Sequence, residues 1–131
     1  MQEPAKSYVE PVKGSVQTPE PESAPLHSVD AYLQQIPVFR TEINLVSQFM
    51  KLPAIKYYRF RYNDRYYVRS EFKIRGYWTY YKPLEFYGEG WSPIYRQACE
   101  HAAYQVLRVL FMYCPELWHK FIELKKRRGF Q

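Results

Sequence analysis

Only two of the 131 residues are cysteine, Cys99 and Cys114, and only three are histidine. No pair among them has the short spacing of a zinc site, and one cysteine pair does not make the stapled framework of a small secreted domain. Cys99 falls among core positions of a helix, so the thiols are expected to be free and buried in a reducing compartment. Glycine is scarce (five residues), and none of it forms a phosphate-cradling loop opening onto Gly-Lys-Ser/Thr. No stretch approaches the roughly 18 apolar residues of a membrane span, and the first residues lack the apolar core of a signal peptide. No Ser/His/Asp or Cys/His grouping stands out. Glu100 and His101, being adjacent on a helix, point about 100° apart and cannot work as one acid/base pair. Metal ions, cofactors, a small-molecule substrate, a membrane and catalysis are all unexpected, and the chain is expected in the nucleus, the cytoplasm or both.

What is abundant is tyrosine, 14 copies in a chain that is 19% aromatic with a net charge of +6. Tyrosine buries ring area while its hydroxyl stays near water, which suits a sheet carrying rings on both faces. Residues 1–27 hold five of the ten prolines and few large apolar groups, so they read as a disordered tail. Lys6 and Lys13 against Glu3, Glu10, Glu20 and Glu22 leave that tail at −2, so residues 28–131 carry +8 of the chain's +6. An excess of that sign favours anionic partners, nucleic acid first.

From Ser28 the spacing of Val29, Tyr32, Leu33 and Ile36 predicts a short helix over 28–36, stopped by Pro37. A second helix is predicted from about Thr41 to Lys51, with Leu45 and Phe49 adding apolar groups beside the Ile43/Val46/Met50 stripe. Three strands follow. Tyr57–Tyr62 is separated by Asn63 and Asp64 from Tyr67–Gly76, where Val68, Ser70, Phe72 and Ile74 alternate inward against Arg69, Glu71, Lys73 and Arg75. After a connection rich in Tyr77, Trp78, Tyr80 and Tyr81, Leu84 and Phe86 mark the third strand, and Gly88 and Gly90 are expected to end it in a turn. Ser92 and Pro93 then read as cap and first residue of the one long helix, with Ala98, Ala102, Val106, Val109, Leu110 and Tyr113 along its apolar face. Pro115 opens a last helix over 115–131 that ends in a basic tail. The expected class is α+β: a three-stranded antiparallel sheet with both main helices on one face, and an extra helix at each end.

The order helix, three strands, helix over Pro37 to Tyr113 resembles the double-stranded RNA-binding domain (dsRBD) family. Ile43-Asn44-Leu45-Val46 through Gln48 to Leu52-Pro53 and Tyr58 is similar to its first helix and entry to strand one. Gly88 and Gly90 followed by Ala98, Ala102, Ala103 and Leu107 is similar to its glycine turn and alanine-rich second helix. More loosely, the tyrosine-rich strands resemble a divergent plant group of this fold. The resemblance implies a domain over 28–114 and RNA contacts made from the second helix and the first strand loop. Where the family has Lys-Lys-x-Ala-Lys, this chain has Tyr95, Arg96 and Cys99 around Ala98. Its Gly-Pro-x-His loop is here Asn63-Asp64-Arg65-Tyr66, and Leu45 replaces a polar residue. The RNA surface implied is therefore a reduced one.

Two readings of function result. In the first, the chain binds structured or double-stranded RNA, with Arg65, Arg96 and the run Lys125, Lys126, Arg127 and Arg128 on phosphates. One positive band joining these is the arrangement that reading predicts, whereas separated charges would favour a protein partner. Arg59, Arg61, Arg69, Lys73 and Arg75 are assigned with Tyr57 and Tyr67 to one sheet face as an auxiliary surface, unless that is a solvated face in which Glu71 pairs internally. The basic run also reads as a nuclear import signal, or as charge that suits a helix C-terminus. In the second reading the fold has exchanged its RNA surface for a protein or self-association surface through Leu45, Phe49, Trp118 and Phe121. The alternative for these four is that the last helix folds back and covers them.

Overall fold

The computed structural model describes residues 24–74 and 84–130. The predicted tail over 1–23, Arg75, and the connection through Tyr77, Trp78, Tyr80 and Tyr81 lie outside the described residues. The chain is α+β. Two helices, α1 (Ala24–Gln34) and α2 (Phe39–Met50), precede the strands β1 (Lys56–Tyr62), β2 (Arg65–Ile74) and β3 (Leu84–Ser92), and α3 (Tyr95–Tyr113) and α4 (Pro115–Arg127) close the order. The strands form one antiparallel sheet in the order β1-β2-β3.

The β1–β2 turn fixes everything about the sheet's two faces. Asn63, in the left-handed region at φ 54°, and Asp64 form a two-residue turn, so that Tyr62 pairs with Arg65. Under that register odd-numbered β1 residues share a face with even-numbered β2 residues. Val68, Ser70, Phe72 and Ile74 are buried on the face that α3 covers.

The predicted glycine turn is not there. β3 runs straight through Gly88 and Gly90 to Ser92, and neither glycine has a positive φ. Their role is close approach. A Cβ on Gly90 would lie 2.0 Å from the Ala98 carbonyl oxygen, and one on Gly88 would lie 2.4 Å from that of Ala102. The backbone of α3 therefore rests on the backbone of β3, helped by the buried methyls of Ala98, Ala102 and Ala103. Two strand residues advance about as far as four helical ones, roughly 6–7 Å, so the two elements stay in step. Continued on, this spacing carries Tyr113 past Leu84. Tyr113, expected on the buried face, is accordingly 72% exposed and meets Phe86 edge-on at 5.9 Å, and Val109, expected there too, is 40% exposed.

Helix starts also differ from expectation. α3 starts at Tyr95 rather than Pro93, while the Ser92 hydroxyl accepts from the Ile94 N–H at 3.0 Å. α1 starts at Ala24, four residues inside the expected tail. α2 starts at Phe39 because a distant residue caps it. The Phe39 and Arg40 N–H groups donate to the two Glu100 carboxylate oxygens, at 2.8 and 3.2 Å, and the Arg40 guanidinium closes the group at 2.6 Å. A carboxylate at a helix N-terminus satisfies donors that have no partner within the helix.

α4 turns back over α2 and α3. Phe49 meets Phe121 at 5.8 Å, and Phe111 stacks on Trp118 and Phe121 at 5.8 and 6.0 Å. Phe49, Trp118 and Phe121 all belong to the main core.

Candidate nucleic-acid interface

Arg59 and Arg61 gather around Tyr66 and Tyr95 on the helix side of the sheet, with Arg96 next to Tyr95 in the chain and Arg65 at the same end of the sheet on its open face. On the helix side of β1, the Arg59 guanidinium lies 5.1 Å from the centre of the Tyr95 ring and that of Arg61 lies 4.8 Å from the Tyr66 ring. Tyr66 and Tyr95 meet edge-on at 5.6 Å, so cation, ring, ring and cation form one row. Arg61 also donates to the Tyr66 hydroxyl at 2.9 Å and to the Asn63 carbonyl at 3.3 Å. Arg96, exposed, follows Tyr95 in the first turn of α3, and Arg65 leads β2 out of the turn with Asp64 3.9 Å away. Stacking leaves guanidinium N–H groups pointing outward, and the 19-residue α3 adds the positive end of its dipole.

The auxiliary cluster does not share a face. Arg59 and Arg61 lie on the helix side with Tyr57, whereas Arg69 pairs with Tyr58 and Glu89, and Lys73 with Glu85, on the open side. The parity set by the two-residue turn separates them. Arg75 is outside the described residues.

The basic run is also divided. Lys125 is not a surface cation: it is 6% exposed, with its ammonium 2.8 Å from a Glu42 oxygen and 2.9 Å from the Tyr32 hydroxyl. Arg128 lies over the Phe49 ring at 4.4 Å, while Lys126 and Arg127 are exposed. These contacts hold the run against the flank of α2 that carries Glu42 and Phe49. That flank is turned roughly 140–160° away from Asn44, on 100° per residue. The predicted band joining Arg65, Arg96 and the C-terminal run is therefore broken at α2.

The surface assigned to a protein partner is not exposed. Phe49 and Trp118 are 8% accessible and Phe121 is fully buried, while Leu45 packs partly buried against the same core, because α4 folds back and turns Trp118 and Phe121 inward.

Two features lie outside the site residues expected from the sequence. On α2, Arg40, Asn44 and Gln48 recur at four-residue spacing as a polar stripe, and Lys51, the left-handed residue that ends the helix, follows it. Asn44, Gln48 and Lys51 are exposed, and Arg40 ties the stripe to α3 through Glu100. Its signal in the sequence is the helical spacing of Arg40, Asn44 and Gln48 on the polar side of α2.

The second is the open face of the sheet, where Tyr58, Phe60, Tyr62, Tyr67, Tyr87 and Trp91 stand on three neighbouring strands. Tyr67 sits 4.7 Å from Trp91 and 5.7 Å from Phe60, and Tyr62 sits 5.5 Å from Trp91. Each carboxylate on this face accepts from a tyrosine: Glu71 from Tyr58 at 3.0 Å, Glu89 from Tyr67 at 2.7 Å, and Glu85 from Tyr87. Burial, and then the Glu89 carboxylate, push the Tyr67 phenol up to about 12. Arg69 lies 5.6 Å from the Tyr87 ring.

Among the described residues no helix is long and apolar enough to cross a membrane, and no cluster of His, Cys, Asp and Glu could hold a metal ion. Burial pushes the Cys99 and Cys114 thiols up, away from thiolate character. No family model, no curated protein and no solved structure matches this chain.

Proposed function

We propose that this chain is a nucleic-acid-binding module for structured or double-stranded RNA, with its helices and sheet arranged as in the dsRBD family. The observation that carries the reading is the row Arg59–Tyr95–Tyr66–Arg61, with Arg96 next to Tyr95 in the chain and Arg65 at the same end of the sheet on its open face. Exposed guanidinium groups at a helix N-terminus suit phosphate oxygens. The Asn44/Gln48/Lys51 stripe offers amides and an ammonium to the 2′-hydroxyls and base edges of a shallow RNA minor groove. Nothing in the reading depends on the C-terminal basic run.

Four phosphate contacts would lower affinity on the order of a hundredfold between 50 and 200 mM salt. The test is a mobility-shift titration of the full chain on duplex RNA at those two concentrations. Arg59→Gln combined with Arg96→Gln is expected to weaken binding and reduce the salt slope by about 2. Lys126→Gln with Arg127→Gln is expected to leave the slope unchanged. Absence of binding at 50 mM salt would end the proposal.

A further inference from the structure

Apart from Arg65, the open face of the sheet has no role in the contacts just assigned, yet its composition is unusual. Among the described residues every apolar side chain on it is aromatic: the register places Lys56, Arg65, Arg69, Lys73 and three glutamates among the six rings, and no aliphatic residue. A surface built to meet a second sheet would carry Val, Ile and Leu, because two inner faces fill their shared core with interdigitating aliphatic groups. Flat rings that remain accessible, with Phe60 at 43% and Tyr62 at 50%, suit flat ligands instead.

We infer that this face is a second binding surface that takes the unpaired bases of a single-stranded RNA segment leaving the duplex held at the Arg59–Arg96 end. The inference rests on the RNA reading above. Phe60, Tyr62, Tyr67 and Trp91 form a connected patch, with ring centres 4.7 to 6.4 Å apart, at the same end of the sheet as the four arginines. Arg65 lies on the open face beside Tyr62, at the turn that joins this face to the strand carrying Arg59 and Arg61. A strand crossing from one surface to the other would keep a cation within reach of its backbone. Charge supports the same end. Glu71 and Glu85 lie toward the far end, about 20 and 26 Å along the strands from Arg65 at roughly 3.3 Å per residue, and Glu89, nearer by, is held by the Tyr67 hydroxyl. Base stacking on aromatic rings tolerates any sequence, so the segment recognised is defined by being unpaired.

The test compares two probes on the full chain by fluorescence anisotropy: a blunt RNA duplex of about 16 base pairs, and the same duplex with a single-stranded overhang of six uridines. The overhang is expected to tighten binding about tenfold and to quench tryptophan fluorescence. Phe60→Ser with Tyr62→Ser, both half-exposed positions that spare the core, is expected to remove that gain and leave blunt-duplex affinity unchanged. Trp91→Phe, which keeps a ring, is expected to retain the gain and lose most of the quench. If the blunt duplex binds but the overhang adds neither affinity nor quenching, this inference falls and the duplex reading stands. Failure of both probes at 50 mM salt overturns the two together. A dimer in sedimentation that Phe60→Arg disperses would assign the face to a second copy and overturn the inference.

Discussion

The ammonium of Lys125 sits 2.8 Å from a carboxylate oxygen of Glu42, with the two side chains 8% and 6% exposed. The Tyr32 hydroxyl donates to the same oxygen and accepts from Lys125, so α1, α2 and α4 meet at one buried polar knot. Burial, more than the hydrogen bond to Glu42, raises the Tyr32 phenol well above the ordinary tyrosine range, and it stays a donor. The Lys125 ammonium lies 5.3 Å from the Tyr32 ring and 5.4 Å from the Phe121 ring, which replaces part of its lost hydration. Lys125→Met would leave a buried carboxylate without its cation, and is expected to cost about 3–5 kcal/mol. Adding Glu42→Gln removes the uncompensated charge and should recover a large part. Urea denaturation of the two variants at pH 7 measures both, and a single-variant loss below about 1 kcal/mol would contradict a buried, coupled pair.

The contact of β3 with α3 predicts a sharp asymmetry among small-residue changes. Gly90→Ala drives a methyl to 2.0 Å from the Ala98 carbonyl oxygen, a backbone atom that cannot move without lifting the helix. A loss of about 3 kcal/mol or more is expected, at the top of the range for overpacking. Gly129→Ala meets nothing within 4 Å and carries only the strain of φ 85°, so its loss should be about 1–2 kcal/mol. Thermal melts rank the two, and equal losses would mean that α3 does not press on β3 as described.

How much of this was legible beforehand follows from the range over which each signal acts. The alternation in β2, the turn at Asn63-Asp64 and the long helix near Tyr113 are local patterns, and sequence reading placed them within a few residues. Gly88 and Gly90 were noticed but misread, because a glycine that admits a neighbouring backbone looks the same in sequence as one that turns a chain. The start of α2 was missed by two residues because its cap, Glu100, lies 61 positions along the chain from Phe39. Sequence alone gives no hint of that pairing.

For the candidate site the limit was parity. Arg59, Arg61, Arg69 and Lys73 each alternate with apolar partners in their own strand, but which strands' arginines share a face depends on whether the turn holds an even or odd number of residues. The two-residue turn decides it, and it moves Arg59 and Arg61 beside α3 while leaving Tyr58, Phe60 and Tyr62 on the open side. Lys125 was misassigned for a different reason. Within a run of four basic residues nothing local marks the one whose helical position points at Glu42, and only the packing of α4 on α2 selects it.

His101 gives the fold a dependence on acid whose sign can be worked out. Its backbone neighbours bring it under β3, where a Cβ on Gly90 would meet the His101 Cβ at 2.9 Å. Burial holds its imidazole below the ordinary 6.5, against the smaller raising effects of a hydrogen bond involving the Trp91 backbone and of Glu100. In the unfolded chain the ring takes up a proton near 6.5, and in the folded one only at a lower pH. Between those values the unfolded state binds more protons, so acidification favours unfolding. The contribution of His101 is fully present above about pH 6.5 and is lost as the pH falls below it. Thermal midpoints at pH 7.5 and 5.5 should therefore fall more in the parent chain than in His101→Gln, which cannot titrate. Equal falls in the two would show that the acid sensitivity comes from other groups and that His101 is solvated in the folded protein.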